Sequence, residues 1–219
     1  IIAIEKDSKL VEGLRRKVYD LGLNKNIEVI EGDILKILPE IISNPSIFQS
    51  FNYKLVGNIP FYITGRLLRI ISELKLKPEL AVFIMQKEVG QRIIAKPPKM
   101  NLLAASVQFW AKPKIIDYIS KKEFKPAPEV DAAIIKLRIK NYDLVIMNNY
   151  YKLISVIFKQ PRKTILNNLF HADSHELERV LTRINKEKII EKLRKIGVNP
   201  QDRPQNLSIE QLKRLSTLF

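Results

Sequence analysis

Tyr53-Lys54-Leu55-Val56-Gly57-Asn58-Ile59-Pro60-Phe61 decides how the rest of the chain is read. Residues 53–57 form an apolar run that reads as a buried strand. Residues 63–74 follow with Leu67, Ile70, Ile71 and Leu74 at helical spacing. A short polar and aromatic loop, 58–61, therefore sits at the carboxyl end of a parallel strand. In open α/β sheets that is where ligands bind.

The four loop residues suit one kind of chemistry. An exocyclic aromatic amine is a poor nucleophile because its lone pair is delocalised into the ring. Hydrogen bonds accepted from both amine hydrogens favour a pyramidal, more reactive nitrogen. The Asn58 side-chain oxygen can be one acceptor, and a backbone carbonyl beside Pro60 the other. Pro60 fixes its own φ, and Ile59 spaces it from Asn58. Phe61 offers a flat apolar face to a base drawn out of its stack. Nothing here has to titrate, since transfer to an amine is positioning and electrostatics. The same tetrapeptide also reads as a plain strand-to-helix turn, with Asn opening it and Pro at the first helical position.

Upstream, Ile1-Ile2-Ala3-Ile4 is an apolar strand that runs into Glu5-Lys6-Asp7. An acidic residue at the end of the second strand of a nucleotide-binding half-sheet accepts from ribose hydroxyls; Glu5 is equally readable as a solvated strand end. Asp7 or Ser8 caps the next helix, with Leu10, Val11, Leu14 and Val18 inward. A second strand, 27–30, ends in Glu31-Gly32-Asp33-Ile34. Asp33 can accept from an adenine amine while Ile34 packs on its ring. It can also cap a short helical turn, 34–38, which Pro39 would interrupt. None of the seven glycines forms a G-x-G pair. The chain thus reads as beginning at a second strand, without a first strand or a glycine-rich turn.

Downstream, 43–51 reads as a loop, 80–85 as a strand, 86–96 as a helix, and 101–110 as a helix. Residues 114–119 and 131–139 are strands without a helix between them, so they pair antiparallel. Phe124-Lys125-Pro126-Ala127-Pro128 joins them; an aromatic beside a lysine suits base stacking with a phosphate contact, and a stiff connector has the same composition. From about residue 145 only helical patterns remain, at 149–158, 161–170, 175–183, 186–196 and 208–217. Ser208 and Gln211 make a capping box for the last. Lys159, Arg162 and Lys163 cluster at a helix start, where the macrodipole disfavours cations; they face either phosphate or water. The fold class is therefore α/β: a Rossmann-like sheet, covered on both faces, in 1–144, and a small all-helical domain in 145–219.

Composition bounds the functions open to a 219-residue chain. The 46% apolar content supports a core. Without cysteine there is no disulfide and no thiolate metal site. His171 and His175 are spaced i, i+4 with no third ligand nearby, so no metal is expected. Lys and Arg number 38 against 23 Asp and Glu, a formal charge of +15 that favours polyanionic partners. No apolar run approaches a membrane span, and the first residues do not read as a signal peptide. A cytoplasmic, monomeric protein is the expectation.

Taken together, these blocks resemble one family, the S-adenosylmethionine-dependent ribosomal RNA adenine dimethyltransferases of the small subunit. The resemblance runs through Ala3-Ile4-Glu5-Lys6-Asp7, Glu31-Gly32-Asp33, Val56-Gly57-Asn58-Ile59-Pro60-Phe61 and Met85-Gln86-Lys87-Glu88-Val89. It continues in Phe124-x-Pro-x-Pro-x-Val-Asp131, in Arg162-Lys163-Thr164-x-x-Asn167-Asn168-Leu169, and in Arg203-Pro204-x-x-Leu207-Ser208. It implies that Glu5 and Lys6 lie at the ribose of S-adenosylmethionine, Asp33 and Ile34 at its adenine, and Asn58 at both cofactor and target. Asn58, Ile59, Pro60 and Phe61 would hold the target adenine while its amine takes two methyl groups. The target would be two adjacent adenines in a hairpin of small-subunit RNA, within an immature subunit during ribosome biogenesis. Phe124, Lys125, Arg162 and Lys163 would contact RNA, and 145–219 would help dock the particle. Ile59 and Phe61 stand where the family often has Leu and Tyr. Met100-Asn101-Leu102-Leu103-Ala104 stands where a Tyr-Gly-Arg-Leu-Ser-like stretch is expected, so one arginine is lost. The related large-subunit methyltransferases of antibiotic resistance share the target loop but not the Arg162-Lys163-Thr164 and Arg203-Pro204 blocks. A non-catalytic assembly factor on the same fold is the alternative of another class.

Overall fold

The computed structural model describes residues 1–44, 52–172 and 185–218. The expected helix at 175–183, most of the loop at 43–51, and His175 lie outside the described residues. The chain divides into two compact units, Ile1–Tyr53 with Tyr62–Lys77, and Lys54–Phe61 with Pro78–Phe219.

The first unit carries strands β1 (Ile2–Glu5) and β2 (Glu28–Glu31) and helices α1 (Ser8–Asp20), α2 (Ile34–Ser43) and α3 (Thr64–Glu73). β1 and β2 pair in parallel, with Ile2 opposite Glu28 and Glu5 opposite Glu31. Asp7 caps α1, its carboxylate accepting from the amides of Lys9 and Leu10 at 2.9 and 3.1 Å. At the far end Gly22 takes φ +67° and the Leu23 amide donates back to the Val18 carbonyl, a turn that a side chain at 22 would strain. Val11 and Val18 are buried, but Leu10 is 61% exposed and not inward as expected. At about 100° per residue it lies some 70° round from the 11/14/18 stripe.

α2 also departs from expectation, because it runs through Pro39 to Ser43 instead of stopping. A proline inside a helix costs about 3 kcal/mol. Leu38, Ile41 and Ile42 are all buried, and each is worth about 1.5–3 kcal/mol. Burial beyond the proline outweighs the break.

The second unit holds β3 (Lys54–Asn58), β4 (Leu80–Gln86), β5 (Ala111–Ile119) and β6 (Ala132–Ile139) in the order β3-β4-β6-β5. β3 is parallel to β4; β6 is antiparallel to both β4 and β5. The expected antiparallel pairing of the last two strands is present. β4 was expected to be buried on both faces, yet it alternates: Ala81, Phe83 and Met85 are buried, while Val82 and Ile84 are half-exposed. The strands of the described residues thus form a two-stranded and a four-stranded sheet, each ordered as neighbours in an α/β fold. Helices α4 (Lys87–Ile93) and α5 (Leu102–Trp110) belong to this unit, as do α6 (Leu144–Ile157), α7 (Ile165–Phe170), α8 (Lys186–Lys195) and α9 (Ile209–Ser216).

The 101–110 helix forms as expected, capped by Asn101, whose side chain accepts from the Ala104 amide at 3.0 Å. α6 starts five residues before its expected start at 149, because Asp143 caps it. The fully buried Tyr150 of α6 donates its hydroxyl to the Ala105 carbonyl of α5 at 3.0 Å, and its ring lies 4.4 Å from that of Phe109. The helices from 144 onward therefore share a core with the sheet-bearing part of this unit. No helix of the described residues is long and apolar enough to cross a membrane.

Candidate active site

In the first unit the parallel register brings the ends of β1 and β2 side by side, so Glu5, Lys6, Asp33 and Ile34 cluster at one sheet end. The Gly32 amide donates to the Glu5 carbonyl at 2.8 Å. A Cβ on Gly32 would come within 2.8 Å of the Ile37 side chain, so a larger residue would push this corner apart. One Glu5 oxygen, Oε1, accepts from the amides of Lys6 and Asp7 at 2.7 and 2.9 Å. Its other oxygen has no partner among the described residues, and vicinal hydroxyls of a ribose are donors that match it. Asp33 does cap α2, its Oδ1 accepting from the Leu35 amide at 3.0 Å. Oδ2 faces the Lys6 ammonium at 3.6 Å. The Leu35 amide, and then the Lys6 charge, hold the Asp33 carboxyl below the usual range. The acceptor set thus fits a nucleoside: two carboxylates held in place by backbone amides, with Ile34 alongside.

In the second unit Asn58 ends β3, opposite Ile84. The Ile59 amide donates to the Ile84 carbonyl at 3.0 Å, which fixes the first step of the loop to the neighbouring strand. Ile59 is buried, Phe61 half-buried and opens a 3-10 turn to Ile63, and Asn58 and Pro60 are exposed. The Asn58 side-chain amide makes no hydrogen bond to any described residue. It is an unspent acceptor and donor at a strand's carboxyl end.

Gln86 of β4, Ala132 of β6 and Ile119 of β5 lie in register at that same end of the four-stranded sheet. The Phe124 loop leaves from there. Phe124 is half-buried, Lys125 exposed, and the Lys125–Pro126 bond is cis. Beside it lies a group that reading the sequence did not single out as a site. The Lys87 ammonium is 3.6 Å from Asp131 and 5.6 Å from the centre of the Tyr118 ring. Asp131 also accepts from the Lys121 amide at 3.1 Å, and that bond, then Lys87, holds its carboxyl low. The signal available was that Lys87 and Asp131 each belong to a motif block. Tyr62, next to Phe61 and 83% exposed, was likewise passed over.

Arg162 and Lys163 are exposed, but they precede α7 instead of lying in its first turn, since Thr164 caps it. The amides of Ile165 and Leu166 at that helix start donate to the carbonyls of Asp202 and Pro200. The buried Asn168 turns its amide group toward the carbonyls of Gln160, Lys163 and Thr164 at 3.1, 3.3 and 3.1 Å, so it shapes the turn that presents the two cations.

A family model described as ribosomal RNA adenine dimethylase matches residues 1–201. A Dehalococcoides mccartyi protein named ribosomal RNA small subunit methyltransferase A is 37% identical over 218 residues, 98% of this chain and 69% of that protein. A protein of the same name from Caldanaerobacter subterraneus is 33% identical, over 99% of this chain and 77% of that one. Among solved structures, a dimethyladenosine transferase from Plasmodium falciparum superposes with a TM-score of 0.77 at 24% identity, covering 98% of this chain and 79% of its own. The 23S rRNA methyltransferase ErmE does so at 0.70 and 21%, covering 99% and 80%. These two likenesses show the fold, the Rossmann-like one expected of the sequence. The family model and the curated relatives carry the rest: the chain belongs to the ribosomal RNA adenine dimethyltransferase family.

Proposed function

We propose that this protein transfers methyl groups from S-adenosylmethionine to the exocyclic amines of two adjacent adenines in small-subunit ribosomal RNA, in an immature subunit. The observation that carries this reading is the exposed, unspent Asn58 amide at the carboxyl end of β3, in a chain of this family. S-adenosylmethionine would supply an electrophilic methyl group on its sulfonium. Glu5 accepts from the ribose hydroxyls, with Lys6 beside it. Asp33 takes the adenine amine on the carboxylate edge not used for capping, and Ile34 packs on that ring. At the target, Asn58 Oδ1 and a carbonyl at Ile59–Pro60 accept the two amine hydrogens and localise the nitrogen lone pair. Phe61 stacks on the extruded base. The proton lost from the methylated amine goes to water, and no side chain here has to take it up.

Phe124, Lys125, Arg162 and Lys163 contact RNA in this reading, and 145–219 acts as the part that docks the particle, with 1–144 as the methyltransferase part. The protein acts in the cytoplasm as a monomer. The test uses immature small subunits and radiolabelled S-adenosylmethionine. Label in dimethyladenosine that is lost with Asn58→Ala is the expected result. Subunit binding without any label would replace the enzyme by an assembly factor.

A further inference from the structure

At the end of the four-stranded sheet opposite Asn58, the second unit holds a cavity of about 390 Å³. It lies where the connector between α4 and α5, the first residues of β5, the end of β6 and the start of α9 come together. The volume falls in the ~300–1,000 Å³ range of small-ligand sites. Lys96, Lys112 and Lys140 line it against a single carboxylate, Glu210. None of the three lysines makes an ion pair with a described residue. Lys140 is half-buried; its ammonium donates to the Gln108 carbonyl at 2.9 Å and has two further hydrogens to give. Burial, and then the charges of Lys213 and Lys112, make its protonated state harder to hold, while Glu210 helps to keep it. A half-buried ammonium with two exposed lysines lining the same concavity is stabilised by an anion that takes charge-assisted hydrogen bonds from them. Ile209 and Glu210 carry the first two amides of α9, which a helix leaves without internal acceptors. The Ser208–Gln211 capping box uses other amides. Pro97, Met100 and Pro113 give the same cavity an apolar wall.

We propose that this cavity receives one nucleotide of the bound RNA, its backbone phosphate on Lys96, Lys112 and Lys140 and its sugar against the apolar wall. The proposal rests on the reading that RNA is the substrate.

The test is the salt dependence of binding to a small-subunit RNA hairpin, for the wild type, Lys140→Gln and the double variant Lys96→Gln/Lys112→Gln. Lys96 and Lys112 are exposed, so the double variant keeps the fold if Lys140→Gln does not. Loss of one phosphate contact lowers the slope of log K against log salt by ~0.7–0.9. We expect that drop for either variant, several-fold weaker binding at moderate salt, and no such change for Lys17→Gln on α1. An unchanged slope in both variants overturns the proposal while leaving the RNA reading intact. An equal drop for Lys17→Gln overturns it too, as does inorganic phosphate that binds the wild type yet leaves the RNA slope of the variants unaltered. A wild type that binds no RNA removes the substrate reading itself.

Discussion

Asn58 is the residue on which the proposed reaction turns, and its free side chain sets the size of its effect. Truncation to Ala removes one acceptor that works only while the amine is being alkylated. Removing one such preorganised group costs about 10²–10³ in kcat. We expect a loss of that order for Asn58→Ala, with KM for RNA changed much less; a comparable rise in KM with kcat unaltered would make Asn58 a plain binding residue. Asp33 carries a second prediction. Its pKa is lowered in the folded protein, first by the Leu35 amide and then by Lys6. A depressed carboxyl stabilises the fold above its unfolded value of about 3.8 and loses that contribution as pH falls through the folded value. Asn also caps helices but cannot ionise. The Tm difference between wild type and Asp33→Asn should therefore be steady from pH 5 to 8 and shrink below about pH 3.8. A difference that persists unchanged at pH 2.5 would mean that the charge on Asp33 adds nothing.

At the scale of elements, α2 and the turn before α7 show where local reading succeeds and where it fails. Pro39 sits inside α2 against its own preference, held by Leu38, Ile41 and Ile42. Pro39→Ala should then raise stability by about 2–2.6 kcal/mol, the helical penalty less what the stiffer unfolded chain returns; urea unfolding measures it, and a loss of stability would show that the proline packs better than it bonds. Asn168→Ala removes the side-chain donor to three carbonyls; those of Gln160 and Thr164 keep a backbone donor and that of Lys163 has none among the described residues, so the change should cost about 1–3 kcal/mol. If it costs that much yet Asn168→Asp is equally tolerated as wild type, the carbonyls are not what Asn168 serves. Neither effect was legible in the sequence. Propensity marks Pro39 as a stop, and only the burial of residues beyond it overrides that. Asn168 reads as one more polar residue until the turn at Gln160–Thr164 folds back over it. What was legible had local causes: the capping box at Ser208 and Gln211, the antiparallel return of β6 onto β5, and the polar loop after β3. The early start of α6 was hidden because Leu144, Val145 and Ile146 stay largely exposed and blur its period. The candidate residues at the two sheet ends were legible as candidates because each follows an apolar strand. Lys87 and Asp131 were not, since their pairing depends on β4 and β6 being neighbours in space.

At the scale of the whole molecule, the two units have unequal means of staying folded. Among the described residues, β1 and β2 form a two-stranded sheet in which no residue is buried. A two-stranded pair is marginal in water unless packing supports it, and in this unit support comes from the buried sides of α1, α2 and α3. In the other unit β4 and β6 each have a strand on both sides, and Phe83, Met85, Ala133, Ile135 and Leu137 are buried. Tyr150 and Phe109 tie the later helices into that same core. Local opening should therefore be far easier around Glu5 and Asp33, the residues proposed to hold the cofactor, than at the centre of the four-stranded sheet. Native-state hydrogen exchange should show amides of β1 and β2 exchanging at least about 100-fold faster than those of β4 and β6, the factor that ~3 kcal/mol of opening free energy makes. Added S-adenosylmethionine should narrow the gap by slowing β1 and β2 alone, because a ligand that binds only the closed form stabilises what it touches. Equal protection of both sheets without ligand would mean that the units open as one cooperative body, and that the cofactor end is as well ordered before binding as after it.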